Sequence, residues 1–138
     1  QCLDLQAVGQ RLGLHDLQRI HALKTGALIR GAVRAGAMIA NANPAALAAL
    51  TRYGEQLGLA FQIADDILDV VGQEQATGKR VGGDAERHKV TYASLLGVDN
   101  ARVLAQEAAE AANDALTAFG SEAGMLRAVA NFVITREG

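Results

Sequence analysis

Apolar residues recur at helical spacing along most of the chain. Leu17, Ile20, Leu23, Leu28 and Ile29 fall near a 3.6-residue period after Asp16. The Asp16 carboxylate can accept the unpaired amides of a first helical turn. The pattern predicts one long helix over about 16–40. It is crowded with small residues, among them Gly26, Ala27, Gly31, Ala32, Gly36 and Ala40. A glycine costs a helix about 1 kcal/mol relative to alanine. Their repetition therefore implies close approach by another helix or a ligand. Asn41-Ala42-Asn43-Pro44 stops this helix and starts another, because proline is tolerated in a first turn. The second helix is expected over about 44–71, on Leu47, Leu50, Leu57, Phe61, Ile63, Ile67, Leu68 and Val71. So short a connection makes the two antiparallel neighbours.

The pattern then changes. Gly72, Gly78, Gly82 and Gly83 interrupt the helical period, and Lys79, Arg80, Arg87 and Lys89 stand among Glu74, Asp84 and Glu86. Residues 72–90 read as a long polar loop, with 73–88 the least ordered part. Loops of this length in compact domains usually carry function or are disordered. A short helix is expected over 91–96, another over about 100–119 with Asp99 as its cap, a turn at Gly120–Gly124, and a last helix over about 125–136. Residues 1–13 form a lead-in ending in a turn around Gly9 and Gly13. The expected fold is all-α, with no sheet.

Composition agrees. Half the residues are apolar, aromatics are 4% and tryptophan is absent, so the core must be built from small aliphatic side chains. An Ala- and Leu-rich chain with one proline favours helices. The net charge of −2 and a sequence pI of about 5.9 argue against nucleic acid, whose binders carry a basic stripe. No apolar run approaches the ~18 residues of a membrane span, and no secretory leader opens the chain. Cys2 is the sole cysteine, which is compatible with a reducing cytoplasm. The 138 residues fit one domain or part of a larger one, and a Gln1 start suggests a piece of a longer protein.

The strongest chemical signal is Gln62-Ile63-Ala64-Asp65-Asp66-Ile67-Leu68-Asp69. On a helix Gln62, Asp65, Asp66 and Asp69 fall within an arc of about 100°. Three stacked carboxylates repel one another, and the remaining surface of this helix is apolar. An acidic stripe is most often only a solvated face, but here its apolar flanks favour a divalent cation. Magnesium takes oxygen ligands and commonly bridges one or two carboxylates to substrate phosphates. Lys24-Thr25-Gly26 supplies an ammonium, a hydroxyl and room for close approach, although a helix lysine is usually just solvated. Lys79, Arg80, Arg87 and Lys89 supply further cations. Gly72 to Lys79 is not a nucleotide-binding loop, since five residues separate the glycines, Arg80 replaces Ser or Thr, and a helix precedes it. His15, His21 and His88 show no metal-binding spacing.

The run Leu59-Ala60-Phe61-Gln62-Ile63-Ala64-Asp65-Asp66-Ile67-Leu68-Asp69 resembles the second aspartate-rich motif of the trans-prenyl diphosphate synthases. Lys24-Thr25-Gly26 resembles that family's lysine-threonine site, and Gln1-Cys2-Leu3-Asp4-Leu5 the motif before it. Gly78-Lys79-Arg80 and Lys89-Val90-Thr91-Tyr92 resemble the loop lysines after it. The five stand in family order, nearest in pattern to bacterial farnesyl diphosphate synthases.

The resemblance implies an all-α bundle of the isoprenoid synthase type, usually a cytoplasmic homodimer, with residues 1–138 as the C-terminal part of its single domain. It implies magnesium-dependent head-to-tail condensation of isopentenyl diphosphate with an allylic diphosphate. Metal would be held by Asp65, Asp66 and Asp69, and diphosphate by Lys24, Lys79 and Lys89, with Lys24, Thr25 and Gln62 at the reacting end. Two features depart from the family. Its first aspartate-rich motif and paired arginines belong upstream of Gln1, so these residues alone are not expected to be active. The ending Thr135-Arg136-Glu137-Gly138 is less basic than in many relatives. The rival readings are a class I terpene cyclase relative and a non-catalytic helical subunit.

Overall fold

A computed structural model describes residues 13–77 and 90–136. Those residues form helices, with no strand among them. In chain order they are α1 (Leu14–Leu23), α2 (Thr25–Ile39), α3 (Pro44–Thr77), α4 (Tyr92–Leu96), α5 (Val98–Ala115), a 3₁₀ segment (Thr117–Ala123) and α6 (Gly124–Thr135). The central helix is α3. Helices α2 and α5 lie along it, and α1, α4 and α6 pack against it.

Small side chains set how these helices meet. Ala101, Ala105, Ala108, Ala109 and Ala112 form one stripe of α5, and all are buried. They face two groups. Tyr53, Leu57, Ala60 and Ala64 of α3 meet Ala108, Ala109, Ala112, Ala130 and Val133. Ile63 and Ile67 of α3 meet Leu17, Tyr92, Ala101 and Ala105. Tyr53 is fully buried and its hydroxyl donates to the Leu126 carbonyl at 2.8 Å, tying α3 to α6. Burial raises the Tyr53 pKa to about 12, since the phenolate would lose its hydration.

The α2–α3 seam is tighter still. A Cβ built on Gly58 would stand 2.8 Å from the Gly26 Cα, and one on Gly54 would stand 2.9 Å from the Arg30 Cα. Backbone therefore meets backbone at Gly26, Gly54 and Gly58, whereas Gly31 and Gly36 face open space and the close approach expected from them is not found. The connection is short. Asn41 takes a left-handed conformation with φ 53°, Asn43 caps α3 by accepting from the Ala46 amide at 2.9 Å, and Pro44 opens the helix.

Several boundaries differ from the sequence pattern. The single helix expected over 16–40 is two, broken at Lys24, whose backbone is non-helical at φ −101°, ψ −99°. The break falls where β-branched Thr25 and Gly26 follow in succession, two poor helix formers. Asp16 is not the cap residue but sits in the first turn of α1. Its carboxylate reaches back to the Gly13 amide at 3.3 Å. The second helix does not stop at 71 but runs to Thr77. Gly72 alone costs too little to end a helix already anchored by Ile67 and Val71. Lys79, Arg80, Arg87 and Lys89 lie outside the described residues, as do the other positions of the expected loop from 78 to 89.

The short helix expected over 91–96 is α4. Thr91 and Ser94 cap it reciprocally at 2.9 and 3.1 Å. Gly97, with φ 79°, precedes α5 in place of the expected Asp99 cap, and Asp99 lies in the first turn instead. Leu28, Met38 and Ile39 on α2, and Met125 and Phe132 on α6, remain exposed. No helix among the described residues is long and apolar enough to cross a membrane.

Candidate functional site

The acidic stretch occupies the C-terminal half of α3, where the helix passes between α5 and the end of α6. One carboxylate points in and two point out. Asp66 is 1% exposed. Its Oδ2 accepts from the Tyr92 amide at 3.0 Å and its Oδ1 from the Gln62 amide group at 3.2 Å. Asp66 therefore joins α3 to the start of α4 and orients Gln62. Its charge also acts on the Tyr92 hydroxyl, whose pKa is raised first by burial and then by Asp66.

Asp65 lies half-exposed one residue earlier. Its Oδ1 accepts from Arg136 Nη2 at 3.1 Å. The Arg136 guanidinium carbon also stands 4.4 Å from the Phe61 ring centre. Asp69 is exposed one helical turn beyond Asp65. Arg136 lines a cavity of about 640 Å³ with Ile67, Leu68, Val71, Arg102 and Gln106. That cavity is bounded by α3, α5 and the end of α6.

Thr25, half-buried, opens α2, and exposed Lys24 sits at the break before it. With Gly26 against Gly58 and Arg30 against Gly54, the register of α2 along α3 puts Lys24 level with about residue 60. Counting outward from the Asn41–Pro44 turn at about 1.5 Å per residue would set Lys24 and Asp65 at nearly the same height. Asp65 is instead about five residues, or ~7.5 Å, further along the axis. The seam around Gly26 and Gly58 holds a separate cavity of about 230 Å³, beside the exposed Arg30–Glu55 ion pair at 3.3 Å. Lys24 lines neither this cavity nor the larger one.

The three aspartates are thus not one ligand cluster. Among the described residues no group of three or more acidic, histidine or cysteine side chains is gathered as a metal site. Of the three, Asp66 is set apart by its burial and by the two hydrogen bonds its oxygens accept inside the protein. What remains suits magnesium. Asp65 and Asp69 offer hard oxygen donors one turn apart on an outward face. Magnesium needs only one or two carboxylates when phosphates and water complete its shell.

Sequence reasoning missed Arg136 and the Tyr92 amide. Arg136 is 71 residues from Asp65, and a lone arginine near a helix end carries no pattern. The Tyr92 amide belongs to the backbone, so no side-chain motif marks it.

Comparisons with known proteins agree with this architecture. A family model described as polyprenyl synthetase matches residues 1–128. The farnesyl diphosphate synthase of Escherichia coli K12 is 45% identical over 99% of this chain and 47% of its own length. The geranylgeranyl diphosphate synthase of Cyanophora paradoxa is 38% identical over 99% of this chain and 46% of its own. An FPP/GFPP synthase from Zymomonas mobilis, solved in its apo form, superposes with a TM-score of 0.81 at 37% identity. That superposition covers 96% of this chain and 43% of that one. An all-helical protein with a paired, outward-facing acidic turn and this degree of likeness belongs to the polyprenyl synthetase family. The chain spans under half the length of each of these relatives.

Proposed function

We propose that this chain is the C-terminal part of the single all-helical domain of a prenyltransferase. That enzyme joins isopentenyl diphosphate head-to-tail to an allylic diphosphate, giving farnesyl diphosphate or a similar short-chain product. The observation that carries the reading is the outward pair Asp65 and Asp69 on α3, in a chain matched to the family over 1–128.

Asp65 and Asp69 would hold magnesium, which when bound supplies positive charge to the departing diphosphate. Lys24 and Thr25, at the break between α1 and α2, are proposed for the allylic diphosphate, together with Lys79 and Lys89. Charge that stabilises a leaving diphosphate is an electrostatic task, and fixed cations perform it without reorganisation. Gln62 is proposed to line the reacting end. Asp66 holds its amide group in place, so its orientation is set before substrate arrives. The allylic carbon–oxygen bond breaks with its electrons leaving on the diphosphate. The alkene of isopentenyl diphosphate attacks the resulting cation, and loss of a proton restores a double bond. The apolar flanks of α3 exclude water that would otherwise capture the cation. A homodimer in the cytoplasm completes the reading, supported by family likeness and the single thiol.

The test is consumption of labelled isopentenyl diphosphate by the full-length protein, with dimethylallyl or geranyl diphosphate and magnesium. Linear prenyl diphosphates are the expected products, and Asp65→Asn should suppress them. Cyclic hydrocarbons from the allylic substrate alone would instead identify a terpene cyclase. No turnover of either substrate would favour a non-catalytic subunit.

A further inference from the structure

Arg136 reaches the acidic face of α3 from the last described position of the chain. Phe61 lies one helical turn before Asp65, so ring and carboxylate make two walls of a slot for the guanidinium. The arginine side chain is 22% exposed and that of Asp65 is 51%. The fit is incomplete, because Arg136 Nε is buried without a hydrogen-bond partner. A guanidinium presents five donors in a rigid fork, and leaving one buried and unmet is unfavourable. Arg136 also lies just past α6, with an extended backbone at φ −62°, ψ 134°. Its side chain can leave Asp65 without unwinding a helix.

We propose that Arg136 occupies the cation position on Asp65 in the metal-free protein, and that a divalent cation must exchange with it. The proposal rests on reading Asp65 as a metal ligand. A guanidinium and a divalent ion on the same carboxylate oxygen repel each other strongly, so one leaves as the other arrives. Arg136 therefore sets the cation concentration at which Asp65 loads. The displaced guanidinium turns into the cavity whose wall it already forms. In the metal-free protein the same contact holds the carboxylate in place and keeps it from repelling Asp69.

The experiment is a titration of the full-length protein with Mn²⁺ alone, with free ion read by electron paramagnetic resonance. Arg136→Gln should tighten Mn²⁺ binding about three-fold, the scale of a partly exposed ion pair. Phe61→Leu should tighten it in the same direction, because it loosens the arginine without removing charge. Arg102→Gln, which removes a positive charge from the same cavity wall, should have the smaller effect. Asp65→Asn should weaken binding. If Asp65→Asn leaves Mn²⁺ binding intact, the reading of Asp65 as a ligand fails. If Asp65→Asn weakens binding while Arg136→Gln leaves it unchanged or weaker, the ligand reading stands and the exchange is refuted. Equal tightening by Arg102→Gln and Arg136→Gln would also refute it, since the effect would then be one of general charge.

Discussion

Asp65 and Asp66 are neighbours in sequence with opposite surroundings. Asp66 is enclosed and takes its hydrogen bonds from Gln62 and the Tyr92 backbone. Asp65 faces outward and pairs with Arg136, and Asp69 repeats that outward direction one turn later. A step of one residue turns a side chain by about 100°, enough to carry it from wall to core. The same chemical group therefore does two jobs within one motif. One carboxylate fixes the frame, and the two others face outward. The contrast extends to glycine. Gly58 faces inward against Gly26, whereas Gly36 has open space where a side chain would stand.

Asp66→Ala should have the largest effect. It strands two donors that now bond a buried carboxylate, at a cost of about 3 kcal/mol or more in urea unfolding of the full-length protein. Asp66→Asn keeps one acceptor and should cost about half as much. A loss below about 1 kcal/mol for the alanine variant would mean that Asp66 does not hold the frame. Asp65→Asn should do the reverse. Stability should change by less than about 1 kcal/mol, while turnover should fall about 100-fold, equivalent to ~2.7 kcal/mol of transition-state stabilisation. Equal stability losses at 65 and 66 would erase the distinction between them.

The glycine pair sharpens the contrast with smaller effects. Gly58→Ala should destabilise by about 1–3 kcal/mol, because the new methyl meets backbone that cannot step aside. Gly36→Ala should stabilise by up to about 1 kcal/mol, the ordinary helix preference for alanine. Thermal unfolding of both variants measures the sign directly.

The helices themselves were legible in the chain because apolar spacing reports burial. The Asn41–Pro44 break and the α4 segment were visible for a different reason, since local residue chemistry decides them. The break at Lys24 was not legible. Apolar spacing continues across it, and two weak helix formers in succession do not by themselves mark a break in a stretch already rich in glycine. The end of α3 was missed because Gly72 was read as a stop, when packing of Ile67 and Val71 outweighs one weak residue. The acidic stripe was found, but its division was not. Gln62, Asp65, Asp66 and Asp69 share an arc on paper, and only the position of α4 shows which of them faces inward. Arg136 had no signal at all, since its partner lies at the other end of a long sequence separation.

The tight join between α2 and α3 has a consequence for how this chain can vary in length. Gly26 and Gly58 touch at one register, and three residues, Asn41 to Asn43, separate the end of α2 and its cap from Pro44. One added residue in that join would bring the next position of α2 opposite Gly58, about 1.5 Å along and turned by about 100°. Ala27 would then present a methyl group where only a glycine fits. The connection therefore acts as a ruler. Substitutions within it can be absorbed, but insertions or deletions should be rare among functional variants of this protein, unlike at an ordinary surface loop.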